Sequence, residues 1–361
     1  MSNVVDQSAA ANYYAANKLP GYLPGILLLA SLVMSWGLFR FLLPDDPEAT
    51  INLGLVGIVA IILFGVIQYV SSRIVEGARR ATDRTMTLLV SVAFVIATLP
   101  LISLVLTVVT LGAVRFDAEF FTLSMRNVVG EGGGDAHAMM GTVIMTFIAA
   151  AVSVPIGLLT SIYLVEYGQG KRLARAITFF VDVMTGIPSI VAGLFAYSLF
   201  SIILGPGTRV GVAGSAALAV LMIPIVVRSS EEMLRLVPNE LREASYALGV
   251  PKWLTILKVV LPTALAGLTT GVMLAIARVM GETAPLLIAA GFSNDFNFNP
   301  FSERMQSLPN FVYYSYVAQG TNPEAYLDRA WAGALALILI VMVLNLGARL
   351  VTSFFAPKYG R

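Results

Sequence analysis

The sequence predicts an all-α fold, a polytopic transmembrane helical bundle of about eight spans. Three observations carry this expectation. The 361 residues are 57% hydrophobic and only 12% charged. Several apolar stretches reach about 18 residues or more, the length needed to cross hydrocarbon. They lack the alternating pattern of a membrane barrel, and backbone amides in lipid have no water to bond, so the stretches must satisfy themselves as helices.

Hydropathy places the spans at about 23–43, 51–70, 87–111, 139–164, 176–204, 212–227, 265–292 and 331–354. The first two, joined by a short acidic loop at 44–50, read as an added hairpin followed by a basic connector at 71–84. Six more spans follow from about residue 88. The fifth is interrupted by Pro188 and the seventh by Gly281 and Pro285, so both are expected to kink or break where neighbours satisfy the freed backbone. A long loop at 293–329 is rich in Asn, Pro and aromatic residues, including Phe296, Phe298, Phe301, Tyr313, Tyr314 and Tyr316, and reads as an anchor at the membrane interface.

Charge orients the bundle. One side gathers Lys18, then Arg73, Arg79, Arg80 and Arg84, then Lys171, Arg172 and Arg175, then Arg228, Arg235, Arg242, Lys252 and Lys258, and finally Arg349, Lys358 and Arg361. The other holds Arg40, Arg115, Arg126, Arg209, Arg304 and Arg329, with acids such as Asp45, Asp46, Glu48, Asp117 and Glu119. The basic excess marks the cytoplasmic side and puts both termini there. The net charge is only +2 and the basic residues are accounted for as topology anchors, so nucleic acid binding is not indicated. The first 18 residues lack the basic start and short apolar core of a cleaved signal, so the first span is expected to be retained.

The chain has no cysteine, which removes disulfides and thiolate metal sites. His137 is the only histidine and adjoins the Gly-rich stretch 130–134, where it reads as an exposed loop residue. No transition-metal site or Ser-His-Asp arrangement can be assembled around it from the sequence. The scattered Met residues read as packing.

One long segment is polar yet periodic. Within 229–258, Met233, Leu234, Leu236, Leu241, Ala244, Ala247 and Leu248 recur at helical spacing between charges, a pattern of a helix that does not enter lipid. Gly249 suits a helix terminus and Pro251 the first turn of the next helix, so the segment reads as helix, sharp turn, helix. Such a hairpin presents an apolar stripe to something outside the membrane.

Charges also fall inside predicted spans. Arg278 and Glu282 sit where a mid-depth charge costs roughly 2.5–3.5 kcal/mol, so neither should face lipid. Four positions apart, they share one helix face and are placed to pair. Arg278 lies about 24 Å along the helix from Pro262, and its planar donor fork suits phosphate, which makes the pair a candidate for the substrate pathway. A purely structural bridge is the competing account. Gly281 and Pro285 bracket Glu282 and suggest a helix break. Arg228 ends the sixth span and is either a topology anchor or an exit-path residue, and Asp182 lies within the fifth.

These residues also carry a resemblance. Glu243-Ala244-Ser245, followed by Gly249, Val259 and Leu261-Pro262, resembles the EAA loop of binding-protein-dependent ABC permeases, with Ser245 for the usual second Ala and Val259 for the usual Ile. The strings Ile162 to Gly168, Pro188 to Phe195, Pro224 to Arg228, Leu236-Val237-Pro238, Leu241 to Ala244, Ala275 to Arg278 and Gly281 to Leu287 are similar, in order, to phosphate permease subunits of the PstA type. The resemblance covers about 88–361. It implies a type I importer core of six helices at 88–361, with a coupling loop at 229–262 in which Glu243, Ala244, Gly249, Pro251, Leu261 and Pro262 meet a cytoplasmic ATPase. Residues 1–87, a cytoplasmic N-terminus plus the added hairpin, depart from that core.

The resemblance further implies a homologous second permease, a pair of ATPase subunits that bind ATP and Mg, an extracytoplasmic phosphate-binding protein, and residence in the bacterial inner membrane. This chain is then a transport subunit that binds no cofactor and has no catalytic residues. In keeping with that, Gly168-Gln169-Gly170-Lys171 lacks the spacing and the following Ser or Thr of a phosphate loop. A permease for another oxyanion or small solute is the alternative. A stand-alone secondary transporter or intramembrane enzyme is disfavoured, because it has no use for the polar hairpin.

Overall fold

The computed structural model describes residues 19–42 and 52–355. The expectations for Lys18, Asp45, Asp46, Glu48, Lys358, Arg361 and both termini lie outside them. Seven described helices are long and apolar enough to cross a membrane, and a bent pair brings the number to eight. The chain divides into two units, Met1–Leu104 and Val105–Arg361.

In the first unit, α1 (Leu23–Leu42) packs on α2 (Leu53–Val75). Asn52 caps α2, its side-chain oxygen accepting from the amides of Gly54 at 3.0 Å and Leu55 at 3.3 Å. Buried Ser35 donates to the Val56 carbonyl at 2.7 Å, so a hydroxyl otherwise stranded in the apolar contact becomes a tie between helices. The stretch 71–84 is a helix, a turn and a helix rather than a connector. Charge ends the apolar pattern but not the backbone hydrogen bonding, and the break comes at Gly77, whose φ of 91° starts α3 (Ala78–Gly112). At that turn the Glu76 carboxylate, 1% exposed, accepts from the Leu19 amide at 2.9 Å, the Ser72 hydroxyl at 2.8 Å and Arg84 at 2.8 Å.

After the short α4 (Ala118–Thr122), the second unit is built around α8 (Gly211–Arg235), against which α5 (Ala136–Ile162), α11 (Leu261–Met280) and α7 (Ser189–Leu204) pack. Of the most apolar window of α8, 61% is buried, against 33% for α5. Met145, Ala149, Leu218, Met222, Val226, Ala275, Val279 and Leu286 form the common core. Lipid gives helices no hydrophobic reason to associate, so close backbone approach must hold them. Gly157 shows how: a Cβ there would lie 2.5 Å from the Val226 side chain.

Two spans break. α6 (Arg172–Thr185) and α7 meet at 106°, because Gly186 ends one helix and Pro188, with no amide hydrogen to donate, opens the other. α11 stops at Met280, and a short α12 (Ala284–Ala289) follows. With its amide assigned so that oxygen and nitrogen match their neighbours, Asn310 donates to the Thr283 carbonyl at 3.0 Å and shares the Leu287 amide at 3.1 Å beside this gap.

The loop expected at 293–329 contains a helix, α13 (Leu308–Val317), whose Leu308, Asn310 and Phe311 are buried and which packs on α14 (Pro323–Phe355) and α5. Of the aromatic residues expected at an interface, Phe296, Phe298, Phe301, Tyr313 and Tyr316 are exposed and Tyr314 is half-buried. The same fold-back corrects His137. It is 3% exposed, edge-on to Phe311 at 5.9 Å and Phe296 at 6.2 Å between ring centres. Beside it Asp135 is fully covered, its amide donating to the Phe120 carbonyl at 3.0 Å, and burial pushes its carboxyl up to about 8. Arg329 is also inside, 1% exposed, donating to the carbonyls of Gly130 and Gly132 at 2.8 Å.

The α7 to α12 contact depends on Gly193, where a Cβ would meet the Pro285 backbone at 2.6 Å. Gly193→Val should destabilise the purified protein by about 1–3 kcal/mol, the usual cost of overpacking. Gly25→Val, at a position with nothing within 4 Å, should leave the thermal midpoint near wild type. Equal midpoints for the two variants would show that this contact is dispensable.

Candidate functional site

The polar segment begins inside a membrane helix, since α8 continues to Arg235 instead of stopping at 227. Residues Leu236 to Pro238 then turn the chain into α9 (Asn239–Ala247). The Gly249 amide donates to the Tyr246 carbonyl at 2.9 Å and the Val250 amide to the Ser245 carbonyl at 3.2 Å, closing the helix with Gly249 at φ 76°. This is the paired hydrogen bonding of a left-handed helix terminus, where glycine alone escapes a Cβ penalty. Pro251 then opens α10 (Lys252–Thr255), which joins α11 through a wider π turn at Ile256–Val260.

Ser245 and Thr255 share a buried 2.9 Å hydroxyl contact, so the Ser that replaces Ala here ties the two arms of the hairpin. Around the tip, Leu248 is 83% exposed and Trp253 57%. Tyr246 and Leu257 are also exposed, as are Glu243, Ala244, Gly249 and Pro251. Leu261 and Pro262 lie instead half-buried at the base, at the start of α11. The predicted set therefore divides into an exposed tip and a root.

The root is an ion pair that spacing alone did not single out. Arg242 donates to Glu166 from Nε at 3.0 Å and from Nη2 at 2.8 Å, with side-chain exposures of 12% and 4%. Its remaining donors meet the carbonyls of Val237 at 2.6 Å and Leu234 at 3.0 Å. Lys252, from the second arm, donates to the Glu166 carbonyl and lies 5.0 Å from the centre of the Tyr167 ring. Glu166 sits in a π turn, Tyr163–Tyr167, at the end of α5, so one residue holds both arms against a membrane helix. Apolar packing of Val165, Leu234, Val237, Val260, Ala264 and Leu268 surrounds this pair. The sequence signal was a Glu at the end of an apolar span and an Arg within an amphipathic helix, 76 positions apart.

Arg228 is also paired. It reaches Asp182 on α6 and Glu231 at 2.9 Å on its own helix, while Arg235 meets the other oxygen of Glu231 at 2.6 Å. With 34% of its side chain exposed, Arg228 ties the broken span to α8 and still faces open space.

Arg278 and Glu282 are not brought together. No ion pair within 4.0 Å joins them among the described residues, because α11 ends at Met280 and Glu282 falls in the gap, off the helix face that would align them. Arg278 is exposed on the last turn of α11. The amide of Glu282 is taken by Val279 at 3.1 Å and that of Leu287 by Thr283 at 3.0 Å, so those two are not available to an anion. A cavity of about 710 Å³ between α11 and α14 is mostly apolar, lined by residues such as Met273, Leu274, Leu339 and Met342, and does not include Arg278. No group of three or more metal-ligating side chains is found among the described residues.

Residues 153–361 match the family profile described as the binding-protein-dependent transport system inner membrane component. Among curated proteins, a phosphate transport system permease protein PstA 1 from Mycobacterium tuberculosis (strain CDC 1551 / Oshkosh) is 46% identical over 277 residues, 76% of this chain and 89% of its own. PstA of Mycobacterium leprae is 47% identical over 274 residues, covering 74% and 88%. That of Pasteurella multocida is 40% identical over 252 residues, covering 70% and 86%. A chain in the crystal structure of a bacterial alginate ABC transporter, in complex with an alginate pentasaccharide-bound periplasmic protein, superposes with a TM-score of 0.54 at 12% identity. That match covers 80% of this chain and 100% of the other, and it bears on the fold alone. The helical architecture, the rooted extramembrane hairpin and these matches agree: the chain belongs to the binding-protein-dependent transport system inner membrane component family.

Proposed function

We propose that this chain is the membrane-spanning permease subunit of an ATP-driven importer of inorganic phosphate. The observation that carries the reading is 46% identity across 89% of a phosphate transport permease. In this reading the chain forms half of an alternating-access pathway with a homologous second permease. A separate ATPase pair docks on the exposed hairpin tip at Glu243, Ala244, Gly249 and Pro251, and an extracytoplasmic binding protein supplies the anion. The hairpin then lies in the cytoplasm, as do both termini.

The coupling role follows from mechanics. A tip that closes with the ATPase transmits displacement only through a root that does not slip. The Arg242 to Glu166 pair, Lys252 and the Ser245 to Thr255 contact bind both arms to the ends of α5 and α8. Arg278, exposed at the end of a membrane helix with no ion pair among the described residues, is too costly to leave against lipid and is assigned to the pathway, facing the second permease. Glu282 lines the gap nearby. Arg228, held by Asp182 and Glu231, is assigned to the cytoplasmic exit, where pairing keeps its charge ordered between passages.

The full complex in liposomes should accumulate radiolabelled phosphate on ATP addition, with sulfate and molybdate competing poorly. Failure of phosphate-loaded binding protein to stimulate ATP hydrolysis would contradict phosphate import. In the same assay Arg278→Gln should abolish uptake while the subunits stay associated, and unchanged uptake would return Arg278 to a structural role.

Arg242→Met leaves Glu166 buried without its partner, which costs about 3–5 kcal/mol locally. Uptake should fall at least tenfold, a factor that about 1.4 kcal/mol already produces, while basal ATP hydrolysis by the assembled complex persists. Wild-type uptake per ATP hydrolysed would show that the hairpin needs no fixed root.

A further inference from the structure

At the end of α8 remote from the hairpin, three segments meet around Gly291. Its start at Gly211 lies about 36 Å along the helix axis from Arg235. Backbone hydrogen bonds hold the junction: the Val210 amide to the Ala289 carbonyl at 3.2 Å, the Met305 amide to the Ala290 carbonyl at 3.2 Å, and the Val212 amide to the Pro300 carbonyl at 2.7 Å. Gly291 adopts φ 82°, and a Cβ there would touch the Cδ atoms of both Arg209 and Arg304 at 3.2 Å. The stems of two arginines from different loops therefore flank one glycine.

Beside them opens a pocket of about 460 Å³ lined by Thr208, Arg209, Ser293, Glu303 and Arg304, among others. Among the described residues neither guanidinium forms an ion pair within 4.0 Å, although Glu303 stands in the same wall. Arg209 instead lies 5.8 Å from the centre of the Tyr197 ring on α7, which holds a cation in place without neutralising it. Two guanidinium groups gathered on a tied junction offer a fork of donors to a small oxyanion, while the Thr208 and Ser293 hydroxyls donate to the carbonyls of Gly205 at 2.8 Å and Asp295 at 3.3 Å. Glu303 limits the local charge to about one net positive, which suits a site that must release what it takes.

We propose that Arg209 and Arg304 form an oxyanion-receiving site that takes phosphate as it leaves the extracytoplasmic binding protein, before it enters the membrane pathway. This rests on the phosphate-import reading above and names where that pathway begins.

The test uses the complete reconstituted complex with radiolabelled phosphate, comparing wild type, Arg209→Gln/Arg304→Gln and Arg209→Lys/Arg304→Lys across binding-protein concentrations. Uptake at saturating binding protein should fall about tenfold in the Gln pair, the scale of a lost charge-assisted hydrogen bond. The Lys pair should recover part of it, and the affinity of phosphate-loaded binding protein for the complex should not change. Unchanged uptake would overturn the proposal. So would a defect that excess binding protein restores, since the arginines would then grip the protein and not the anion. A wild-type complex that imports sulfate and not phosphate would contradict the phosphate reading, while the Gln pair would still lower that oxyanion's uptake if the site is real.

Discussion

The contact between Glu166 and Arg242 fixes how the polar hairpin leaves the helical bundle. Glu166 ends one membrane helix, and Arg242 sits in the first arm of the hairpin that interrupts the passage between two others. Removing both charges from water is expensive, and the pair endures because the guanidinium also satisfies the Leu234 and Val237 carbonyls at the end of α8. Those carbonyls are among the groups that a helix terminus leaves without partners. One side chain thus closes a helix end, neutralises a buried carboxylate and sets the angle at which the hairpin leaves the bundle.

This arrangement explains why a helical domain written largely in apolar residues keeps charge at the end that carries the hairpin. Arg228, Asp182, Glu231 and Arg235 form a second set of ties beside the first, spanning the broken α6 and α7 segment and α8. The bundle between the two ends is held differently, by small residues and close backbone approach, as at Gly157 and Gly193. Packing of that kind is stiff, so under the proposed coupling role a displacement imposed on the hairpin would pass along α8 and α11 rather than be absorbed near the root.

Much of this was legible from sequence. The eight spans, the break at Pro188, the turn at Gly249 and the hairpin itself follow from hydropathy, proline geometry and helical period, all properties of local sequence. What escaped depends on contacts between distant residues. His137 looks exposed beside a Gly-rich stretch, and Arg329 counts only as a charge on the outer side, because nothing local records that neighbouring segments fold over them. Arg278 and Glu282 look paired because the spacing rule assumes an unbroken helix, whereas the break between Met280 and Ala284 separates them. Glu166 and Arg242 were each visible as charges, but their pairing crosses 76 positions and has no short-range signature.

The central claim is that the hairpin tip is the joint with the ATPase. The chain has no cysteine, so a thiol placed at Leu248, 83% exposed at the tip, reports on that position alone. In the assembled complex, with a single Leu248→Cys substitution, a short bifunctional reagent reactive to thiols and amines should link this chain to the ATPase subunit, with a yield that changes on ATP addition. Absence of that cross-link, with the thiol freely labelled by a soluble maleimide in the intact complex, would contradict the account.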